Sequence, residues 1–536
     1  MPQLLCRALT FGYDGAATHV FSDLDLLIDT QWRCALVGAN GRGKTTLLRL
    51  LAGELQPDRG TIECQLQPHR WIAEAHSGPT WTVAQDAMGP YRRWEMQMER
   101  LLAATDATSL TRYATLEERY RDAGGYTAQA RLRAELSALD ISAPQLRTPF
   151  EHLSGGEQTR VLLAALFARD GGYPLLDEPT NHLDRAGRAL LGAYLAEQRG
   201  FLVVSHDRAF LDAATDHVIA LNPDTVVVRR GSYSAWRQDH LELLTNQGQR
   251  NAELRKDISR LQGAAQSRRD GAHAREARKR AGGKPQLPSQ RGGDSGFTGA
   301  RAARQMKRAL AVEARMENAV EQRRAALTDT RRQYPLHFKP PEKPAPAGPL
   351  IQVRDFSAGY PAPLFTPVSF DLMAGARLAL SGPNGSGKTS LIEAVTGAGS
   401  VISHGHLRID PRVTISRVWQ QPRWRSGSLR TALQQAGLDE GHFRQLMAAL
   451  GNRGAGLDQP LQTLSAGTLK KIELARSLMV PAHVYVWDEP LNYIDIDTRE
   501  RIEAAIQDSD VALLVIEHDA TFLQRIGAEA LLLAPG

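Results

Sequence analysis

The sequence predicts an α/β protein with two phosphate-binding domains in tandem, joined by a long helical insert. Three observations carry this expectation. The stretch from Leu36 to Gly53, LVGANGRGKTTLLRLLAG, nearly repeats from Leu380 to Gly397 as LSGPNGSGKTSLIEAVTG, with nine of 18 positions identical. Each copy follows a short apolar run and opens a helical pattern. Between the copies, residues 241–340 carry 22 Lys and Arg against 10 Asp and Glu, whereas the whole chain has a net charge of only +6.

A chain of 536 residues is too long for one hydrophobic core, so two or three domains are expected. Its 42% apolar and 23% charged residues are ordinary for a water-soluble globular protein. No stretch approaches the roughly 20 apolar residues of a membrane span, and the opening MPQLLCRALTFGYDG has no leader-like pattern. Cys6, Cys34 and Cys64 form no C-x-x-C pair, which reads as buried thiols in a reducing compartment and leaves metal binding remote. The expected location is the cytoplasm. The basic middle of the chain, flanked by net acidic segments, points to a polyanionic partner.

Both repeated stretches fit G-x-x-x-x-G-K-[ST]. In the first, Gly38, Gly41 and Gly43 allow backbone N–H groups to turn toward phosphates. Lys44 is placed to reach the β- and γ-phosphates, and the Thr45 hydroxyl to ligate Mg²⁺. Gly382, Gly385, Gly387, Lys388 and Thr389 take these places in the second. Asn40 and Thr46, with Asn384 and Ser390, complete the two nucleotide-contacting loops. CALVG reads as the strand before the first loop and TTLLRLLAG as the helix after it, whose N-terminus adds its dipole to anion binding.

Further motifs specify the reaction. PLLDEPTNHLD ends an apolar strand in Asp177 and Glu178, and VYVWDEPLNYID ends one in Asp488 and Glu489. The aspartate of each pair suits a Mg²⁺ shell, and the glutamate suits orienting or deprotonating an attacking water. His206 in FLVVSHD and His518 in ALLVIEHD follow strands at matching places, suited to touching a γ-phosphate.

LSGGEQTR, from Leu153 to Arg160, resembles the signature of ATP-binding cassette (ABC) ATPases, and LSAGTLKK, from Leu464 to Lys471, is similar in a diverged form. The resemblance implies ATP hydrolysis with Mg²⁺ between two domains packed head to tail, each site joining one P-loop to the other domain's signature. Site one would unite Lys44, Thr45, Asp177, Glu178 and His206 with Ser465 and Gly467. Site two would unite Lys388, Thr389, Asp488, Glu489 and His518 with Ser154, Gly155, Gly156 and Glu157. Tyr13 and Tyr360 match the aromatic that stacks on adenine, and Gln420 the glutamine that senses Mg²⁺ and water. Glu74 falls where the first half would carry that glutamine, a departure from the pattern. Ala466 stands opposite Gly155, and Thr468 opposite Glu157, so unequal turnover at the two sites is expected.

The chain then divides into a first ABC domain at 1–235 with a helical arm near 85–140, a basic linker at 236–347, and a second ABC domain at 348–536. In the linker, Leu254, Ile258 and Leu261 recur at helical spacing, and Met316, Val320 and Leu327 do so in a second limb. Five glycines and two prolines in residues 281–297 interrupt the two limbs as an irregular tip, giving an expected helical hairpin. FKPPEKPAPAGP closes the linker as a stiff strap. A tandem cassette with a charged linker resembles the ABC-F family, and its second-half motifs and extended tip resemble the ribosomal-protection subgroup. This implies a monomer with an internal cassette pair that binds the ribosome near the exit-tRNA site. Its linker would meet rRNA and tRNA near the peptidyl transferase centre and protect translation from antibiotics. A translation-regulating ABC-F factor would share every catalytic motif. A transporter ATPase subunit would need a separate membrane partner, and a hook-type DNA-repair ATPase would need the cysteines that the tip lacks.

Overall fold

The computed structural model describes residues 2–15, 19–72, 76–104, 106–181, 183–222, 225–281, 320–321, 336–360, 362–398, 401–452 and 455–536. These fall into two compact units, one from Met1–Trp236 with Tyr334–Gly536 and the other Arg237–Gln333. Glu74, the linker tip beyond Ala281 and most of the second linker limb lie outside the described residues.

The first cassette contains β1 (Gln3–Phe11), β2 (Phe21–Asp29), β3 (Arg33–Val37), β4 (Arg59–Cys64), β5 (Gln67–Arg70), β6 (Gly172–Asp177), β7 (Phe201–Val204), β8 (His217–Leu221) and β9 (Val226–Arg230). They make an antiparallel sheet ordered β2-β1-β4 and a six-stranded sheet ordered β5-β6-β7-β3-β8-β9. The large sheet is parallel except for β9. Strands covered on both faces need continuous apolar runs, and FLVV and HVIAL supply them, every residue buried. The helix Lys44–Leu51 lies between the sheets, with Leu47, Leu48 and Leu51 buried among Leu4, Ile28, Leu36 and Leu202.

The second cassette repeats this plan. Its β10 (Ile351–Gly359), β11 (Val368–Leu372) and β13 (Ile402–Ile409) form the small sheet, ordered β11-β10-β13. The parallel sheet runs β14-β15-β16-β12-β17, from β12 (Arg377–Ser381), β14 (Ile415–Val418), β15 (Val484–Asp488), β16 (Ala512–Ile516) and β17 (Glu529–Leu532). In both cassettes the strand order brings three carboxyl ends together: the P-loop after β3 or β12, the acidic pair after β6 or β15, and the histidine after β7 or β16. Ligands of open α/β sheets bind at such an edge.

The arm segment contains the helices Thr80–Met88, Tyr91–Ala103, Ala107–Asp122 and Gly125–Ala138. Its root belongs to the core, because Tyr91, Tyr120, Leu132 and Leu136 are buried with the helix that follows the first signature. Tyrosine hydroxyls tie it together, Tyr91 donating to the Ala123 carbonyl at 2.9 Å and Tyr120 to Glu95 at 2.6 Å. In the linker, one helix spans Tyr233–Ala281, 49 residues, or about 74 Å at 1.5 Å per residue. Its first turn is held to the first cassette by the Ser234 amide, which donates to Asp212 at 2.8 Å. The strap after the linker packs against the second cassette. Leu336 is buried in that core, Phe338 meets Tyr485 and Trp487 at 4.8 and 5.9 Å, and the Lys343 carbonyl lies 2.9 Å from His483 Nε2. Apolar side chains with a face to bury turn this stretch into part of the domain.

Candidate nucleotide-binding sites

The P-loops fold alike because their glycines occupy backbone that other residues resist. Gly43 and Gly387, with φ of 84° and 79°, are left-handed N-caps of the helices that follow. A β-carbon would come within 2.5 Å of Val20 in one and 2.6 Å of Phe365 in the other. Lys44 Nζ donates to the Gly38 carbonyl at 2.7 Å, and Lys388 Nζ to Gly382 and Pro383, both at 2.8 Å. Burial lowers the pKa of both lysines, so each is a cation held at some cost beside acidic residues.

The acidic pairs share an unusual backbone. Glu178 and Glu489 have φ of 52° and 47°, left-handed values that are costly for residues with a β-carbon. Their amides donate across to the neighbouring strand, to Val204 at 2.9 Å and Ile516 at 3.0 Å. This turn breaks the alternation of the strand and sends the glutamate to the same edge as the aspartate before it. Burial, then Asp177, pushes the Glu178 carboxyl well above the usual carboxylate range. His206 Nε2 lies 3.2 Å from Glu178, and burial and Lys44 hold that imidazole neutral at physiological pH. Burial also brings His518 down to about 4, helped by Arg188 and Lys388. Glu489 instead accepts from Asn492 Nδ2 at 2.6 Å.

Asp488 is the side chain whose surroundings best suit a cation. Both its carboxylate oxygens are buried without a hydrogen-bond partner, and burial pushes its pKa up to about 6. The neighbouring Thr389 hydroxyl draws that value down, as the Thr45 hydroxyl does for Asp177 in the first cassette. One carboxylate and one hydroxyl do not enclose an ion. They fit Mg²⁺, which keeps several oxygen ligands from water and phosphate.

The signatures begin helices. Ser154 caps Gly155–Phe167 in a reciprocal box with Glu157, whose carboxylate accepts from the Ser154 amide at 2.8 Å. Ser465 caps Ala466–Met479, but only the Thr468 amide and hydroxyl meet it, at 3.2 and 3.0 Å. The second signature therefore keeps the cap and loses the reciprocal bond.

The halves meet across these motifs. A cavity of about 390 Å³ is lined by Asn384, Gly385, Gly387, Lys388, Thr389, Ser390, Gln420, Glu489, Asn492 and His518 of the second cassette, and by Gly155, Leu183 and Arg188 of the first. At the other junction Asn40 Nδ2 donates to the Tyr493 carbonyl at 3.3 Å, and a β-carbon on Gly467 would stand 3.4 Å from Asn40. Tyr13 and Tyr360, both half-exposed, lie beside the P-loop helices, bonded to Thr46 at 3.0 Å and to Glu393 at 2.6 Å. Sequence reasoning overlooked Arg188 and Asn492, whose signal is the pair of matching segments after each acidic pair. It also missed Arg208. This buried side chain pairs with Glu503 and lies 3.7 Å from Asp519 across the halves.

The family model described as ABC transporter matches residues 21–181 and 365–492. The chain belongs to the ATP-binding cassette family. Its tandem layout and full-length relatives place it among the ABC-F ATPases, which hydrolyse ATP. It is 30% identical to the tylosin resistance ATP-binding protein TlrC of Streptomyces fradiae, the match covering 100% of this chain and 98% of TlrC. It is 28% identical to the energy-dependent translational throttle protein EttA of Mycobacterium tuberculosis, over 94% of this chain and 87% of EttA. The fold resembles that of an archaeal ribosome recycling factor solved with a ribosomal stalk protein, with TM-score 0.56, 18% identity, and coverage of 98% of this chain and 87% of that one. Among the described residues no helix is long and apolar enough to cross a membrane.

Proposed function

We propose that this ABC-F ATPase is a monomeric cytoplasmic protein that binds the ribosome and protects translation from antibiotics acting at the peptidyl transferase centre. The cavity lined by both cassettes carries the reading. A nucleotide there touches a P-loop and the opposite signature together, so binding and hydrolysis become closing and opening of one chain. Lys44 and Lys388 hold the β- and γ-phosphates, with Asn40, Thr46, Asn384 and Ser390 beside them. Thr45 with Asp177, and Thr389 with Asp488, hold Mg²⁺, which neutralises phosphate charge when bound. Glu178 and Glu489 orient the attacking water and accept its proton. His206 and His518, both neutral, donate to the γ-phosphate. Tyr13 and Tyr360 stack on the base, Gln420 lines the cavity where it would sense Mg²⁺ and the attacking water, and the signature residues Ser154, Gly155, Gly156 and Glu157, or Ser465 and Gly467, close each site.

The linker meets rRNA and tRNA through its basic face, since phosphate contacts need no base sequence. The resistance named for TlrC, a relative matched over its whole linker, supports drug protection. EttA supports a second reading, a regulator of elongation without drug resistance. The test is the Glu178→Gln/Glu489→Gln double variant. It should bind ATP, hydrolyse it at under about 1% of the parent rate, and pellet with ribosomes in ATP but not in ADP. Parent-like turnover would remove both glutamates from the mechanism. Parent protein that pellets with ribosomes but fails to rescue drug-inhibited translation in vitro would favour the regulator.

A further inference from the structure

The helix that opens with the second signature, Ala466–Met479, buries three charged residues that the mechanism above does not use, and of these Lys471 is paired with Asp495 at 2.6 Å. Lys470 and Glu473 are 2% and 1% exposed. Burying such groups costs several kcal/mol per ion unless their geometry is very good, and a core helix has cheaper residues available. Aligned on the signatures, the first cassette uses Thr159 and Leu162 at these positions, and among the described residues the Thr159 hydroxyl donates back to the Gly155 carbonyl, at 2.9 Å.

What the pair holds is specific. Lys470 Nζ has three protons and three carbonyl acceptors: Trp419 at 2.9 Å, Gln420 at 3.1 Å and Asp488 at 3.2 Å. Glu473 takes the amides of the same loop, accepting from Trp419 at 3.5 Å and Arg423 at 3.2 Å, while Arg476 at 2.5 Å neutralises it. The loop bearing Gln420 is thus fixed through its carbonyls by a cation and through its amides by an anion, both from one helix. The same cation holds the strand end bearing Asp488.

We propose that Lys470 is a positioning residue for site two, which sets the spacing between Gln420 and Asp488 and so prepares the metal-binding corner before nucleotide arrives. Glu473 secures the loop from its other side. The inference rests on the roles proposed above for Gln420 and Asp488. It assigns to the second signature helix a duty at site two besides the place of its Gly467 beside Asn40 at site one. Residues that orient a metal's ligands without touching it typically change metal affinity 10- to 100-fold when removed.

The test uses Mn²⁺ and ATP on the full-length Glu178→Gln/Glu489→Gln protein, with bound Mn²⁺ counted by electron paramagnetic resonance. This parent should bind two Mn²⁺, and Asp488→Asn should remove one of them. Should the parent bind none, or Asp488→Asn leave both, the reading of the sites fails before Lys470 is tested. Lys470→Met should then weaken the Asp488-dependent ion about tenfold, leave the other within twofold, and be reversed by Lys470→Arg. Lys470→Gln, which keeps two amide donors, takes its place if the methionine variant does not fold, with a smaller loss at the same ion. Turnover gives a second readout. In a Glu178→Gln background Lys470→Met should raise the Mg²⁺ needed for half-maximal hydrolysis by a similar factor, and in a Glu489→Gln background it should not. Unchanged Mn²⁺ affinity at the Asp488 ion, or equal losses at both ions, would overturn the proposal.

Discussion

Replacing Asp488 by asparagine should stabilise the nucleotide-free protein while disabling one of its sites. The carboxyl is 1% exposed and its oxygens have no hydrogen-bond partner, so the ionised form is held at a cost. Burial moves its titration from 3.8 to about 6, and at 1.36 kcal/mol per pH unit this costs about 3 kcal/mol at neutral pH. Asparagine removes the charge but leaves an amide to satisfy, which takes back about 1–2 kcal/mol, so the expected net gain is about 1–2 kcal/mol. The pH dependence identifies the cause. The folded protein holds this proton more tightly than the unfolded chain, so the parent's penalty is full above pH 6 and disappears as pH falls toward 4. The advantage of the variant should fade over that window. Hydrogen exchange of the β15 amides in EDTA, measured at pH 7.5 and 4.5, reports it locally, and Mg²⁺-dependent hydrolysis at site two should be lost. A variant no better protected at pH 7.5, or equally advantaged at both pH values, would refute the argument.

Gly387→Ala should lower the melting temperature by several degrees and weaken ATP binding at site two at least tenfold, because a β-carbon meets Phe365 at 2.6 Å in left-handed backbone; equilibrium binding of a fluorescent ATP analogue checks it. Arg208→Ala strands the buried Glu503 with only Arg525 at 2.9 Å, and loss of one partner of a buried pair costs about 3 kcal/mol. Calorimetric unfolding should show it. Thr468→Glu restores the reciprocal cap found at Ser154 and Glu157, and should raise stability by about 0.5–1 kcal/mol, read from urea unfolding. Single Glu178→Gln and Glu489→Gln variants should leave unequal residual ATPase rates, since the two signatures differ at Ala466 and Thr468; equal rates and nucleotide occupancies would defeat that reasoning.

The motifs that the strand order gathers at each candidate site were legible because each of them is local. A glycine loop, a strand-end acidic pair and a post-strand histidine each lie within a few residues, and the strand order needs only to bring three carboxyl ends together. The left-handed turn at Glu178 and Glu489 was not legible, because nothing in the residue type announces a positive φ at a glutamate. Nor was the hold of Lys470 on Trp419 and Gln420, about 50 residues away in sequence, or the meeting of Arg208 with Glu503, 295 residues on. The first depends on which loop the signature helix covers within its own cassette and the second on which helices meet across the halves, and a string of charged letters reads at both places as solvated surface. The docking of the strap was not legible for a related reason. Its prolines announce stiffness, while the core that Leu336 and Phe338 enter is built from residues distant in sequence, Tyr485 and Trp487 among them.

The one-sided ion pair between Arg208 and Glu503 has an evolutionary consequence. In an assembly of two identical subunits related by a twofold axis, every substitution appears at both sites, so a change that helps one site and harms the other is unavailable. Here the positions matching Arg208 and Glu503 are Ala520 and Gly192, and the contact exists once. Joining the cassettes in one chain lifts the twofold constraint and lets each catalytic centre drift under its own selection. One centre can then specialise in timing and the other in grip, and a screen of paired halves from different relatives would reveal how far that specialisation has gone.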